Sequence, residues 1–175
     1  MDLTPQGALA AQHDGPERLQ LAARLIRGDF NINQYVTGVC YDAAAFIKYL
    51  LGNNLPHGGL GITPAQLIAT SGQEWIANLN SDTRWKYRAL IPPGSIITFR
   101  RLEDNQVFHA AVSIGMTSIR AVNGNLLGAA WPVPANLNTV LRLSPNHPAH
   151  HENVFWHDNT NIVVQIQRNL APVPL

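Results

Sequence analysis

The chain has 175 residues, of which 46% are hydrophobic and 13% charged, and 12 basic and 11 acidic side chains leave a formal net charge of +1. This composition is typical of one folded domain and excludes a long disordered or coiled-coil protein. The near-neutral charge argues against nucleic acid and membrane surfaces as partners. No apolar run reaches the length of a membrane span and the N-terminus lacks a signal-peptide pattern, so we expect a soluble protein.

Helices are predicted in the first half of the chain. Residues 1–13 have no helical period and are predicted to form a flexible N-terminal arm, followed by a single domain over 14–175. A first helix is predicted over about 16–27, where a proline follows an aspartate cap. Thr37 is a suitable N-cap for a second helix over 38–51.

From about residue 95 the pattern changes to short β-branched segments separated by Gly, Pro and Asn. Strands are predicted in five segments: 95–100, 107–114, 118–122, 139–143 and 162–167. Helices followed by a strand-rich half predict the α+β class with an antiparallel sheet.

Cys40 is the only cysteine, which excludes an intrachain disulfide and a cysteine-rich zinc site. The predicted cap places it in the first turn of the second helix, where unpaired N–H groups and the helix dipole stabilise a thiolate. The backbone N–H of Cys40 is also placed there to donate to a substrate oxyanion. Cys40 is therefore a candidate nucleophile, and the alternative is a small buried structural residue.

His109 begins a predicted strand, and it is the candidate base. A strand holds a side chain rigidly, as a general base requires, and the small residues Ala111 and Ser113 share its face. The alternative is a structural histidine that is hydrogen-bonded at a strand end.

The order of these segments resembles the papain-like cysteine hydrolases, in particular the NlpC/P60 family and the amidase effectors of type VI secretion. The nucleophile helix of that family is similar to residues 40–52 (CYDAAAFIKYLLG), and its Pro-Gly and histidine strands are similar to 93–99 (PGSIITF) and 109–115 (HAAVSIG). The resemblance covers roughly residues 34–125. It implies a papain-like fold, in which a nucleophile at a helix N-terminus packs on an antiparallel sheet.

The resemblance also assigns two further residues. Gln34 stands six residues before Cys40, the offset at which papain-like enzymes carry the glutamine of their oxyanion hole. Asn123, on the strand after the base, matches the residue that orients the catalytic imidazole. A two-residue turn before this strand would pair Asn123 with Ala110, a three-residue turn would place it opposite His109, and a bulge would reconcile the two registers.

These residues predict a cysteine-dependent hydrolase of amide bonds, of protease or amidase type, with a Cys40–His109–Asn123 triad, Gln34 in the oxyanion hole and no metal or cofactor. The resemblance implies a bacterial effector toxin exported by a dedicated secretion system, with peptide, protein or peptidoglycan as substrate and an immunity protein as partner. A glutamine deamidase with the same triad stays open as an alternative.

An alternative of a different class rests on a histidine-rich segment. This segment contains His147, His150, His151 and His157, together with Glu152 and Asp158. Imidazoles with nearby carboxylates bind zinc, nickel or copper, although the segment is broken by a proline and lacks the i,i+4 spacing of a helical metal motif. The chain would then be a non-catalytic binding module with a metal-binding loop and a buried Cys40.

Overall fold

The computed structural model of the protein describes residues 1–52, 62–77, 83–141, 155–157, 160–167 and 173–175. The helices in these ranges are α1 (Pro5–Ala10), α2 (Gly15–Arg27), α3 (Cys40–Gly52), α4 (Pro64–Ala69), α5 (Gly72–Ala77) and α6 (Leu137–Val140). The strands are β1 (Thr83–Arg84), β2 (Ile96–Arg101), β3 (Val107–Gly115), β4 (Ser118–Arg120), β5 (Ala135–Asn136), β6 (Phe155–His157) and β7 (Thr160–Gln167). Among the described residues, no helix combines the length and the apolarity that crossing a bilayer requires.

The strands form one sheet in the order β1–β7–β2–β3–β4–β5, and β6 pairs with β7 near the start of that strand. All of these pairings are antiparallel. The α+β class with an antiparallel sheet is therefore confirmed. β3, which begins two residues before His109, lies inside the sheet between β2 and β4.

Side chains along β2 and β3 alternate between two cores on opposite faces of the sheet. Ile96, Ala110 and Val112 pack in the core that α2 and α3 form, whereas Phe99 and Ala111 point into a second core. The second core also contains Trp85, Ile91, Ile97, Ile119, Ala121, Leu127, Leu137, Leu141, Ile162, Val164 and Ile166. The alternation places the His109 side chain on the face of the second core.

α3 is the central helix of the molecule. Every residue from Ala43 to its C-terminus is buried, because it packs between α2, α5 and β3. A helix that is apolar on almost all sides is stable only when other elements surround it. This packing fixes the N-terminus of α3, and with it Cys40, against the sheet.

α3 begins at Cys40, two residues later than predicted, and Thr37 is not its cap. The hydroxyl of Thr37 instead donates to the Asp2 carbonyl at 3.2 Å. The carboxylate of Asp42 accepts from the Val39 N–H at 3.0 Å and from the Gly72 N–H at 3.1 Å. A carboxylate in the first turn stabilises the helix dipole and satisfies unpaired donors, so Asp42 takes over the function of the predicted cap.

The prediction of a flexible arm over residues 1–13 is contradicted by the structure. The segment forms α1, Leu3 makes a β-bridge with Val36, and Ala10 and Ala11 are buried in the helical core. These contacts join parts of the chain that are distant in sequence, so a local pattern does not reveal them. The described N-terminal residues are thus part of the folded domain.

The predicted strand over 139–143 is wrong in its described part. Thr139 and Val140 belong to α6, which the side chain of Asn136 caps by accepting from the Asn138 N–H at 2.9 Å. The other four predicted strands correspond to β2, β3, β4 and β7, although β4 ends earlier than expected.

Candidate active site

The backbone N–H of Ala110 faces an open edge of the sheet. Ser113 donates its N–H to the carbonyl of Ser95, next to β2, at 2.9 Å. N–H groups along an antiparallel strand point alternately to its two sides, so those of Ala110 and Val112 point away from β2. β4 pairs with β3 only from Val112 onward. Ala110 therefore faces the space that a longer β4 would occupy.

The thiol of Cys40 lies in this space. Cys40 is 6% exposed. Burial raises the pKa of the Cys40 thiol above its ordinary value, and the Asp42 carboxylate adds a smaller effect in the same direction. The N–H groups of Ala110, Tyr41 and Cys40 itself face the sulfur and lower the pKa in part. The expectation of a stabilised thiolate is therefore corrected: burial outweighs the helix terminus, and Cys40 is a neutral thiol at neutral pH.

A second contact joins the start of α3 to the start of β3. The hydroxyl of Tyr41 donates to the carbonyl of Val107 at 3.1 Å, two residues before His109. Because consecutive Cα atoms are about 3.8 Å apart, a sulfur at the Ala110 N–H lies beside the main chain of His109. The structure thus places the Cys40 sulfur beside the main chain of β3 next to His109. Cys40 belongs to the core of α2 and α3, whereas the His109 side chain lies on the face of the second core, against Phe99.

The imidazole of His109 is buried, with 2% exposure. Its Nε2 lies 2.9 Å from the carbonyl oxygen of Leu127, and its ring centroid lies 5.4 Å from that of Phe99. A carbonyl oxygen can only accept a hydrogen bond, so Nε2 carries a proton. In a neutral imidazole the basic lone pair then lies on Nδ1, the ring nitrogen nearer the main chain.

A closed turn over residues 123–128 brings the carbonyl acceptor to this imidazole. The N–H of Asn123 donates to the Ala129 carbonyl at 2.9 Å, and that of Gly124 donates to the Gly128 carbonyl at 2.8 Å. The chain leaves β4 here and crosses to the second core. Because β4 ends early, the edge of β3 beside Ala110 is left unpaired, and Cys40 lies there. For the same reason the chain after β4 can turn toward the imidazole of His109.

Asn123 does not occupy its predicted position beside the imidazole. A two-residue turn and a bulge set the register of β3 and β4, and this register would place Asn123 opposite His109 if β4 continued. β4 ends at Arg120, however, and Asn123 is an exposed turn residue with a φ of 59°. The partner of Nε2 is the carbonyl of Leu127 instead.

Gln34 ends a short 3-10 turn over Ile32–Gln34 and is exposed. Its main-chain carbonyl accepts from the hydroxyl of Thr4 at 2.6 Å. In the described part of the chain, no hydrogen bond joins its side-chain amide to Cys40. The role of Gln34 in an oxyanion hole stays a prediction, whereas the N–H groups of Cys40 and Tyr41 face the sulfur.

The histidine-rich segment lies mostly outside the described residues. This holds for His147, His150 and His151, and the side chain of His157 is likewise outside them. Within the described ranges, no group of three metal-ligating side chains comes together. The metal-binding alternative stays a prediction from the sequence.

Sequence reasoning did not identify Leu127 or Tyr41. Every residue has a carbonyl, so the side chain of Leu127 gives no signal that its carbonyl holds an imidazole. The run Asn123-Gly124-Asn125 is typical of a tight turn, and it could have indicated that the chain leaves the strand at this point.

No protein-family model matches the chain, and no curated protein is significantly similar to it. The resemblance to papain-like hydrolases therefore stays a prediction. The geometry of Cys40, His109 and Leu127 is the basis on which a function can be proposed.

Proposed function

We propose that the protein is a cysteine-dependent hydrolase of amide bonds, with Cys40 as the nucleophile and His109 as the general base. The observation that carries this proposal is the Cys40 sulfur at the N–H of Ala110, the residue that follows His109 on β3, together with the hydrogen bond between Nε2 of His109 and the Leu127 carbonyl. Such an arrangement supplies a nucleophile and an oriented base of defined tautomer. A papain-like relation between the nucleophile helix and the histidine strand is part of this proposal.

In the proposed reaction, Nδ1 of His109 removes the thiol proton while the Cys40 sulfur attacks the substrate carbonyl carbon. A C–S bond forms, and the negative charge that develops on the oxygen is stabilised by the N–H groups of Cys40 and Tyr41. The protonated Nδ1 then donates to the departing amine as the C–N bond breaks, which leaves a thioester. Water hydrolyses the thioester with Nδ1 as base, and the thiol is restored.

The raised pKa of Cys40 gives His109 a defined task. A neutral thiol is a poor nucleophile, so the proton must move to a base as the C–S bond forms. Nδ1 is the nitrogen that can receive it, because the Leu127 carbonyl holds the proton on Nε2. The proposal is therefore general-base catalysis by a neutral pair, without a thiolate–imidazolium pair in the resting protein.

Two exposed apolar residues support a choice among the substrates. Val39 directly precedes Cys40 and is 49% exposed, and Leu126 directly precedes Leu127 and is 56% exposed. Apolar side chains of this kind favour apolar neighbours around the bond to be cleaved. A peptide or protein substrate suits these two exposed apolar residues better than the carboxylate-rich stem peptide of peptidoglycan.

The test is hydrolysis of two substrate mixtures, peptides from a denatured protein and purified bacterial sacculi. The protein is incubated with each, and new primary amines are measured with a fluorogenic reagent. We expect amine release from peptides, its loss in Cys40→Ala and in His109→Gln, and full activity in the exposed control Met116→Ala. Equal activity in Cys40→Ala would refute the proposal. Ammonia release without new amines on the fragments would identify the deamidase alternative.

The effector role that the resemblance implies is tested in cells. The protein is expressed in bacteria with and without an added export signal, and growth is measured beside Cys40→Ala. Toxicity that needs both export and Cys40 supports a secreted effector acting outside the cytosol. Toxicity confined to the cytosol favours a protease or deamidase with an intracellular target.

The burial of Cys40 favours a second candidate function, a non-catalytic binding module in which Cys40 is structural. Native protein would then react with a thiol reagent only on unfolding, and none of the substrate mixtures would be cleaved. The alkylation experiment described in the Discussion separates the two candidates.

A further inference from the structure

We propose that the turn over residues 123–128 is the positioning device of the site, and that the main-chain carbonyl of Leu127 does for His109 what an Asn, Asp or His side chain was expected to do. The proposal rests on the proposed function of Cys40 and His109. Its own test measures the imidazole directly, so it can fail or succeed separately from the hydrolase activity.

The chemistry of a main-chain carbonyl suits this task. It accepts the Nε2 proton at 2.9 Å and so selects the tautomer in which Nδ1 is basic. In this tautomer Nδ1 can accept the thiol proton in the first step of the proposed reaction and donate it to the leaving amine in the next.

The Leu127 carbonyl is held from two sides. The Leu127 side chain is fully buried in the second core, and the Leu127 N–H donates to the Gly124 carbonyl at 2.8 Å. Gly124 in turn donates to the Gly128 carbonyl. The carbonyl is therefore fixed by a closed ring of hydrogen bonds and an apolar anchor, which is the rigidity that a positioning group needs.

The imidazole of His109 requires glycine at position 124. Its backbone φ is −109°, a conformation that any residue adopts, so backbone strain does not require glycine here. A Cβ at Gly124, however, would overlap Cε1 and Nε2 of His109. By contrast, Gly128 has a φ of +107° and needs glycine for its conformation. The contact between Gly124 and the imidazole edge leaves only one place for the ring.

This contact can be tested with one variant and one control. Gly124→Ala forces the imidazole away from its position, and the hydrogen bond to Leu127 with it. Met116→Ala is the control outside the turn, because Met116 is 71% exposed and follows β3 at the opposite end of that strand from His109. Both variants change one side chain, and only Gly124→Ala is expected to reach His109.

The experiment is long-range 1H–15N NMR on protein labelled with 15N-histidine, at a pH where the imidazole is neutral. The His109 signals are assigned by their loss in His109→Gln. We expect a protonated Nε2 and an unprotonated Nδ1 in the wild type and in Met116→Ala, and a mixture of tautomers in Gly124→Ala. A proton on Nδ1 in the wild type overturns the proposal, and so does an unchanged tautomer in Gly124→Ala.

Kinetics add a readout that a purely structural turn would not change. We expect kcat of Gly124→Ala to fall on the order of 100-fold, within the contribution of a general base, with KM nearly unchanged. We also expect the pH profile of its rate to differ from that of the wild type, whereas Met116→Ala keeps the wild-type profile. A wild-type profile in Gly124→Ala contradicts the positioning role. Activity that persists in Cys40→Ala refutes the hydrolase function and leaves the tautomer result standing.

Discussion

The Nε2 atom of His109 lies 2.9 Å from the carbonyl oxygen of Leu127, 18 residues later in the chain, and both residues are buried. This hydrogen bond joins an inner strand of the sheet to a turn that has already left it. It places the proton of the imidazole on Nε2, the ring nitrogen farther from the main chain of β3. The relationship depends on the early end of β4, since a longer strand would carry residues 121–123 past the imidazole.

Alkylation of Cys40 by iodoacetamide should have a pH midpoint above the reference thiol value of about 8.5, because burial raises the pKa of this thiol. Only the thiolate reacts, so the rate should rise as pH increases through this midpoint. The rate is measured by mass spectrometry of the native protein, with Cys40→Ala as the unlabelled control. A midpoint near or below neutral pH would mean a preformed ion pair. Labelling that occurs at any pH only on unfolding would favour the non-catalytic candidate.

The free energy of unfolding should also depend on pH because of the raised pKa of the Cys40 thiol. A thiol whose pKa is higher in the folded than in the unfolded protein contributes stability that is fully present below the unfolded pKa. This contribution is lost as pH rises through the folded pKa. We therefore expect the stability of the wild type relative to Cys40→Ala to be constant at neutral pH and to decrease above about pH 8.5. Urea unfolding of both proteins between pH 6 and pH 10 measures the difference, and a difference that grows with pH contradicts the burial of a neutral thiol.

Elements defined by local periodicity were predictable from the sequence. α2 follows an Asp14 cap that accepts the Glu17 N–H at 2.9 Å, and β2, β3 and β7 follow β-branched runs, so this helix and these three strands were expected. The N-terminal arm was not, because its order comes from contacts with distant segments such as the bridge between Leu3 and Val36.

The candidate site was predictable to the extent that side-chain chemistry marks it. A single cysteine at a helix start and a histidine near a strand start are visible as residue types, and the structure places the Cys40 sulfur at the N–H of Ala110, the residue after His109. Asn123 was predicted because an amide side chain can orient an imidazole. A main-chain carbonyl can do the same, but every residue has one, so the sequence does not show which carbonyl it is. The raised pKa of Cys40 was also invisible, since it results from burial in the fold.

Arg120, the last residue of β4, should be essential for stability. Its guanidinium donates to the carbonyls of Ile26, Arg27 and Trp131 at 2.7, 2.8 and 2.9 Å, and thereby caps the C-terminus of α2. We expect Arg120→Met to keep the apolar stem but to lower the free energy of unfolding by about 3 kcal/mol, because two buried carbonyls and the partly buried carbonyl of Arg27 lose their donors.

Chemical unfolding of Arg120→Met beside Arg84→Met, an exposed arginine on β1, measures this effect. The control should change stability by less than about 0.5 kcal/mol. Equal stability of the two variants would show that α2 and β4 are held together mainly by packing.

Leu126, an exposed apolar residue next to Leu127, should set the preference for electrophiles. Leu126 precedes the carbonyl that holds His109, so a charge at Leu126 should weaken the binding of an apolar group there without disturbing the thiol. We expect Leu126→Glu to reduce the rate of Cys40 labelling by an apolar acyl-phenylalanyl chloromethyl ketone about tenfold, which corresponds to about 1.4 kcal/mol. The rate with iodoacetamide, which has no side chain to recognise, should stay the same.

The matched control for Leu126→Glu is Met116→Glu. Met116 is 71% exposed and lies in the turn after β3, at the opposite end of that strand from His109. Because it adds the same charge far from the site, Met116→Glu should leave both labelling rates unchanged, and this separates a local contact from a change in the net charge. If Leu126→Glu and Met116→Glu slow the apolar reagent equally, the surface around Leu126 does not recognise the substrate. A loss with the apolar reagent alone, confined to Leu126→Glu, would direct the substrate search to peptides with an apolar residue beside the scissile bond.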